Sequence, residues 1–260
     1  MVQGCSWFVW ITGIALVLGG CSHPTSPRRA SSVAGQPTKF VDAATAGVIT
    51  GTIRFNGPAP DLQPIDMSAA PPCKASHPGP VMPQQLVVGD HGAVANAVVY
   101  LKSGLSGYRF SVPAVPVAVE QKGCMYEPHV AALMAGQTLV VKNDDPTIHN
   151  VHAMARENRE WNRSEAPGTG DIREVFDRPE VAIPLKCNVH TWMRGYVAVF
   201  DNPYFVVTSP DGVFTLRSVP PGTYTIEAWH EKLGEVDQTV TIGPRENKQI
   251  VLTFNTLAAD

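Results

Sequence analysis

Residues 184–200, PLKCNVHTWMRGYVAVF, place a thiol, an imidazole and a thioether within seven residues, at Cys187, His190 and Met193. The chain has only five cysteines in 260 residues, so composition alone does not account for this spacing. The stretch lies where one extended segment ends and another, GYVAVF, begins. A lone cysteine in a β domain is usually a buried apolar residue. Three sulfur and nitrogen donors in one short loop instead indicate a metal site.

The rest of the chain carries the pattern of β-strands. Short β-branched and aromatic runs such as AVVYLK, TLVVKN and YTIEAW are bounded by Gly, Pro, Asn or Asp. No window of 12 or more residues keeps a helical period. The 23 prolines and 22 glycines indicate many turns. We therefore predict an all-β protein built of sandwiches. Its net charge of −3 shows no basic excess, which argues against nucleic acid as a partner.

Four motifs in the middle of the chain occur together. They are AGQTLVVKND at 135–144, the IHN triplet at 148–150, the spacing Cys-x2-His-x2-Met from Cys187 to Met193, and the run GYVAVF. In this order they resemble the cupredoxins, the family of plastocyanin and amicyanin, over about 90 residues. The resemblance implies a Greek-key β-sandwich over residues 106–202 that binds copper.

The chemistry of the donors supports the same interpretation. A mononuclear type 1 (blue) copper site takes two imidazoles, a thiolate and a weak axial thioether. The loop supplies Cys187, His190 and Met193, and the second imidazole has to come from a distant strand. His149, 38 residues before Cys187, is the candidate. Opposing strands of a sandwich would bring the two together. We predict one copper ion held by these four residues.

The neighbours of these donors have expected roles as well. The resemblance implies that Asn150 supports the ligand loop by hydrogen bonds and that the ring edge of His190 is the exposed route for electrons. Trp192 would shield the metal from water, or would simply contribute to packing. His152 follows His149 by three residues, so it points to the opposite face of a strand and is not expected to be a ligand.

Other metal chemistries fit the sequence less well. Zinc seldom takes a thioether ligand. A dinuclear copper centre needs a second nearby cysteine, and none lies within 60 residues of Cys187. The motifs His-x-His and Cys-x-x-Cys-His are absent. We therefore expect a carrier of single electrons between redox proteins that bind transiently, and no enzyme, because no coordination position is open. A copper storage or delivery protein and a structural surface lipoprotein remain alternatives.

The N-terminus indicates export. Residues 18–21, LGGC, close an apolar run and resemble the lipobox of bacterial lipoproteins. The resemblance implies a signal peptide over 1–20, a lipid on Cys21 and a location on the periplasmic side of a bacterial membrane, with Ser22 favouring the outer membrane. Residues 21–46 would form a flexible tether. An ordinary secretory signal is the alternative.

Export bears on the remaining cysteines. With the signal, lipid and metal cysteines assigned, Cys73 and Cys124 remain, and an oxidising compartment favours a disulfide between them. A second metal site that also uses His77 and His129 is the alternative. Because neither sulfur is assigned to copper, we expect loss of the disulfide to leave the copper spectrum nearly unchanged.

The C-terminal segment belongs to another kind of module. Residues 209–242 contain a D-G turn, a strand, a P-P-G-x-Y turn and a further strand. This order resembles the second half of a carboxypeptidase regulatory-like (transthyretin-like) domain. We predict that residues 47–105 and 203–256 form one small β-sandwich with the copper block inserted between them. Alternatively, residues 47–105 extend the copper sandwich, and the C-terminal segment is a small appended domain.

Overall fold

The computed structural model describes residues 39–58 and 60–255. The predicted signal peptide, Cys21 and most of the predicted tether lie outside the described residues. Within these residues, no helix has the length and apolar character needed to cross a membrane.

The prediction of an all-β protein is confirmed. The only α-helix in the described ranges, α1 (Pro71–Ala75), has five residues. Sixteen strands make up the rest of the framework: β1 (Gly47–Phe55), β2 (Val98–Ser103), β3 (Val117–Lys122), β4 (Met125–Glu127), β5 (Val130–Met134), β6 (Thr138–Asn143), β7 (His149–Ala153), β8 (Trp161–Glu165), β9 (Ile172–Val175), β10 (Glu180–Lys186), β11 (Arg194–Phe200), β12 (Phe205–Val207), β13 (Val213–Val219), β14 (Gly222–His230), β15 (Gly234–Ile242) and β16 (Asn247–Phe254).

Strands from the two ends of the described chain share two sheets. In the order β13-β1-β16, strand β1 pairs antiparallel with β13 and parallel with β16, where Phe55 is opposite Phe254. In the order β12-β2-β14-β15, strand β2 pairs antiparallel with both β12 and β14. The segments before and after strands β3 to β11, called the middle block below, are thus neighbours in space. Where one domain ends and the next begins stays a prediction.

Strands β3 to β11 form the other two sheets, in the orders β5-β11-β10-β7-β8 and β4-β3-β6-β9. Their inward side chains meet in one apolar cluster that includes Leu133, Leu139, Ile183 and Val197, each fully buried. Alternate residues of these strands face the cluster because side chains of a strand point to opposite faces in turn. The candidate ligands Cys187 and Met193 belong to the same cluster.

A second apolar cluster joins the two pairs of sheets. Phe200, at the end of β11, lies 4.7 Å from the ring of Tyr100 on β2 and 4.8 Å from that of Phe205 on β12, measured between ring centroids. Trp229 on β14 belongs to the same cluster. The middle block therefore packs on the surrounding sheets through buried aromatic side chains.

Residues 61–85, called the cover below, run from β1 toward β2 and contain only α1 as regular structure. The cover is attached by an apolar cluster in which Met67 and Cys73 pack against Cys124 and Met125. The structure joins Cys73 and Cys124 in a disulfide. No pattern in the sequence predicted that this segment lies against the ligand loop.

Candidate metal centre

The ends of three neighbouring strands bring the candidate ligands together. His149 begins β7, Cys187 follows β10 directly, and His190 and Met193 lie in the loop before β11. Strand β10 is antiparallel to both β7 and β11, so the start of β7, the end of β10 and the start of β11 lie at the same end of one sheet. The expectation of opposing strands across the sandwich was wrong. His149 and Cys187 sit on adjacent strands of one sheet, because the hydrogen-bonded ladder places them closer than the gap between sheets would.

Three donor atoms lie close together at this end of the sheet. The Nδ1 atoms of His149 and His190 are 3.1 Å apart, and the Cys187 sulfur is 3.8 Å from Nδ1 of His190. Two nitrogens that each bind one metal at about 2.0 Å can be at most about 4 Å apart, and a nitrogen–sulfur pair slightly more. The spacing therefore fits a shared ion. His149 is fully buried, and Cys187 and His190 are buried as well.

The loop that holds the remaining donor is closed by its own backbone. The N–H of Cys187 donates to the carbonyl of Met193 at 3.1 Å, and the N–H of Met193 donates to the carbonyl of His190 at 3.0 Å. The N–H of His190 in turn points at the Cys187 sulfur, 3.5 Å away. Met193 is fully buried in the core beside Cys187. The loop thus turns the predicted thioether ligand inward.

A carboxylate that sequence reasoning missed orients His149. Nε2 of His149 is 2.8 Å from Oδ2 of Asp145, which is buried. An ionised carboxylate only accepts, so Nε2 carries a proton, and Nδ1, which faces Cys187 and His190, is the nitrogen that can bind a metal once it is deprotonated. Asp145 lies four residues before His149 in the sequence. Asp144 stands directly before Asp145, and nothing in the local sequence distinguishes the two aspartates.

The three donor residues have shifted pKa values. Burial lowers the pKa of His149, but its bonds to Asp145 and Cys187 outweigh burial and raise that pKa to about 9. Burial raises the pKa of the Cys187 thiol, yet His149 and nearby backbone N–H groups hold it below its ordinary value. Burial and the charge on His149 lower the pKa of His190. The lowered pKa values of Cys187 and His190 favour the deprotonated forms that bind a metal, whereas His149 has to give up a proton when an ion binds.

The two supporting residues named from the sequence both contact the ligand loop. Oδ1 of Asn150 accepts a hydrogen bond from the N–H of Asn188, next to Cys187, at 3.0 Å. The Trp192 ring is half-buried, with its centroid 5.2 Å from that of His190. Its Nε1 donates to the carbonyl of Cys124 at 3.1 Å. Trp192 therefore shields His190 on one side and attaches the loop to the disulfide.

The expectation that the ring edge of His190 would be exposed was wrong. His190 is 5% exposed, and its Nε2 lies 3.4 Å from the sulfur of Cys73. The cover lies over this edge because the disulfide holds α1 against the loop. The ring edge would be exposed only if nothing packed against this end of the sandwich. Here the 25 residues of the cover, from another part of the sequence, lie over it.

The other candidate residues have partners of their own. His152 is half-buried and contacts Glu160, which directly precedes β8. Cys73 and Cys124 are bonded to each other, so they do not form the alternative second metal site with His77 and His129. Nε2 of His77 contacts the carbonyl of Gly123 at 2.7 Å instead, and His129 pairs with Glu231.

The chain was compared with known proteins. No protein-family model matches it, and no curated protein matches it. Among solved structures, a copper-containing nitrite reductase from Thermus scotoductus SA-01 is 19% identical over 36% of this chain and 24% of its own, with a TM-score of 0.32. A purple cupredoxin from Nitrosopumilus maritimus is 21% identical over 32% of this chain and 98% of its own, with a TM-score of 0.28. A mutant of amicyanin with Cu(I) is 21% identical over 40% and 98%, with a TM-score of 0.29. These structural neighbours are cupredoxins, and each matches two fifths of this chain or less.

Proposed function

We propose that this chain is a mononuclear blue copper protein that carries single electrons. One observation carries the proposal: two imidazole nitrogens and a sulfur, all in buried residues, lie within 4.8 Å of one another. Bound copper would supply the change between two oxidation states, and sulfur together with imidazole suits both. His149 and His190 would hold it with Cys187, and Met193 would be the weak fourth ligand.

The surroundings of the donors suit transfer of electrons more than chemistry on a substrate. Met193 would fill the fourth position, so none is left for a substrate, and we expect no enzymatic reaction. The hydrogen bonds on His149, Asn150 and the loop backbone hold the donors in place before copper binds. Rigid ligands change little between oxidation states, which favours rapid electron exchange.

We infer that the partners are redox proteins that dock briefly. Ile148 and Val189 adjoin the ligands His149 and His190 in sequence and are 48% and 52% exposed. Two apolar side chains on neighbouring loops suit a small transient interface. The proposed location is the periplasmic side of a bacterial membrane, with the outer membrane favoured and a lipid on Cys21 as anchor. The LGGC motif supports this location.

The surrounding sheets would form a transthyretin-like module of the carboxypeptidase regulatory type, with the copper block inserted in it. The pairing of β1 with β16 and of β2 with β14 supports this arrangement. The proposed role of the module is to carry the cover over the copper block.

The visible spectrum of the copper-loaded mature protein tests the proposal. We expect one copper per chain and the intense charge-transfer band of a copper–thiolate bond. Cys187→Ser should abolish the band, because a hydroxyl does not replace the thiolate. His149→Gln should also lose it, whereas the matched control His152→Gln should keep it. A full band in Cys187→Ser would contradict the assignment.

Storage or delivery of copper is the competing function. A delivery protein has to release its metal readily, whereas the donors here are buried beneath the cover. Reversible voltammetry together with slow copper loss to a chelator would support electron transfer. Fast loss and an irreversible voltammogram would favour delivery.

A further inference from the structure

The Nε2 atoms of His149 and His190 are both connected, through one further residue, to the turn at Gly123 and Cys124. Nε2 of His190 contacts the sulfur of Cys73, which is bonded to Cys124. Nε2 of His149 contacts the carboxylate of Asp145. That carboxylate accepts hydrogen bonds from the N–H of Gly123 at 2.6 Å and from the N–H of Cys124 at 2.7 Å.

The turn has a shape that needs outside support. Gly123 and Cys124 both have left-handed backbone angles, with φ of 60° and 56°. A residue other than glycine seldom adopts this conformation unless its surroundings hold it there. At Cys124 the surroundings are the carboxylate of Asp145 and the disulfide to Cys73.

The turn is also held from the ligand loop and from the cover. Nε1 of Trp192 donates to the carbonyl of Cys124, and His77 of the cover contacts the carbonyl of Gly123. An added side chain at Gly123 would meet the His77 ring at 2.7 Å, so this contact depends on the glycine. One turn is therefore connected to both histidines, to the ligand loop and to the cover.

We propose that the Cys124 turn with its disulfide to Cys73 is a positioning unit of the metal centre. It would hold the ring planes of His149 and His190 and keep water from the outer edge of His190. This inference rests on the proposed copper site and replaces the expectation that loss of the disulfide leaves the spectrum unchanged. Partners beyond the ligands themselves commonly alter metal affinity by about 10- to 100-fold.

The test compares two variants that both loosen the cover. Cys73→Ala with Cys124→Ala removes the sulfur beside His190 and frees the turn. The matched control, Met67→Ala, creates a cavity in the same apolar cluster but keeps the disulfide. All measurements are made well below the unfolding midpoints of both variants. The readouts are the visible band, the reduction potential and the rate of copper loss to a chelator.

We expect the double variant to lose copper about 10- to 100-fold faster than the wild type, with a shifted band. Its reduction potential should fall, because water at the edge of His190 stabilises the more highly charged oxidised ion. In copper-free protein, the nitrogen chemical shifts of His190 should change as well. Met67→Ala should resemble the wild type in all four measurements, since a loosened cover alone leaves the sulfur in place.

A second variant serves if the double variant does not fold. Trp192→Phe keeps the ring beside His190 and the disulfide but removes the donor to Cys124, and we expect faster copper loss in it too. If the wild type shows the thiolate band and the variants have the same band, potential and rate of copper loss, this inference is overturned and the proposed copper site stands. A wild type without a thiolate band would remove the copper site and the inference with it.

Discussion

Asp145 is the residue whose charge acts most directly on a proposed ligand. Its carboxylate accepts a hydrogen bond from Nε2 of His149 and so increases the electron density on Nδ1. Its neighbour Asp144 carries the same charge but is exposed, which makes it a natural control. The two aspartates separate the effect of a direct hydrogen bond from that of a nearby negative charge.

Asp145→Asn should keep copper bound but raise the reduction potential. A neutral amide is the weaker acceptor, so Nδ1 becomes a poorer donor and the oxidised ion loses more stabilisation than the reduced one. Affinity for Cu(II) should fall by about 10-fold or more. Asp144→Asn should change neither quantity beyond the effect of one exposed charge. Voltammetry of both variants decides, and equal shifts in the two would contradict the role of the hydrogen bond.

His230, at the end of β14, should make the protein sensitive to acid. Burial lowers its pKa to about 4, against the opposing charge of Glu231. Its contribution to stability is therefore complete above about pH 6.5 and is lost as the pH falls toward 4, because the unfolded chain takes up the proton first. The shift corresponds to roughly 3 kcal/mol.

Denaturant unfolding at several pH values measures this contribution. His230→Gln should flatten the decline of the free energy of unfolding between pH 6.5 and 4. His91→Gln, which removes an exposed histidine, should leave the decline as it is. The same slope in both variants would show that other groups cause the acid sensitivity.

At the scale of elements, the cover depends on its disulfide. A helix of five residues is too short to be stable by itself, and α1 has no side-chain cap at its N-terminus. One backbone hydrogen bond joins the two arms of the cover on either side of α1, from the N–H of Ile65 to the carbonyl of Val81. Its position therefore depends on the apolar cluster around Met67 and on the bond between Cys73 and Cys124.

Loss of the disulfide should destabilise the protein strongly. The bond closes a loop with a sequence separation of 51, for which loss of chain entropy gives about 4 kcal/mol. Urea unfolding of Cys73→Ala with Cys124→Ala should show this decrease together with a steeper dependence on urea, because the unfolded chain exposes more surface. An unchanged midpoint would mean that the apolar cluster alone holds the cover.

At the scale of the whole molecule, the aromatic cluster around Phe200 couples the middle block to the surrounding sheets. Phe200 is buried, and its ring touches Tyr100 and Phe205 from two strands of the neighbouring sheet. Large buried rings contribute most where two packed units meet. We therefore expect the two pairs of sheets to unfold together in the wild type.

Phe200→Ala should lower the free energy of unfolding by about 3–5 kcal/mol and weaken this coupling. Calorimetry should show one transition in the wild type and a broadened or divided one in the variant. Phe40→Ala, which removes a ring that is 74% exposed, should leave the transition unchanged. One sharp transition in Phe200→Ala would contradict the role of the junction.

The sequence by itself determined the features that depend on near neighbours. Alternation and turn residues identified the strands because a strand shows its two faces within a few residues. The spacing from Cys187 to Met193 indicated a ligand loop because one short loop has to present these donors together. The resemblance of the His-Asn pair to the cupredoxin motif implied a supporting role for Asn150, and the structure does connect it to the loop.

Only the tertiary structure decided the contacts between distant segments. His190 and Cys73 are 117 positions apart, and no local pattern records that they meet. The sheet shared by His149 and Cys187 and the choice of Asp145 over Asp144 also depend on how strands pair and turns pack. The sequence therefore indicated which atoms could bind a metal. Long-range packing decided what surrounds them, because burial and hydrogen bonding at the site come from segments far away in the chain.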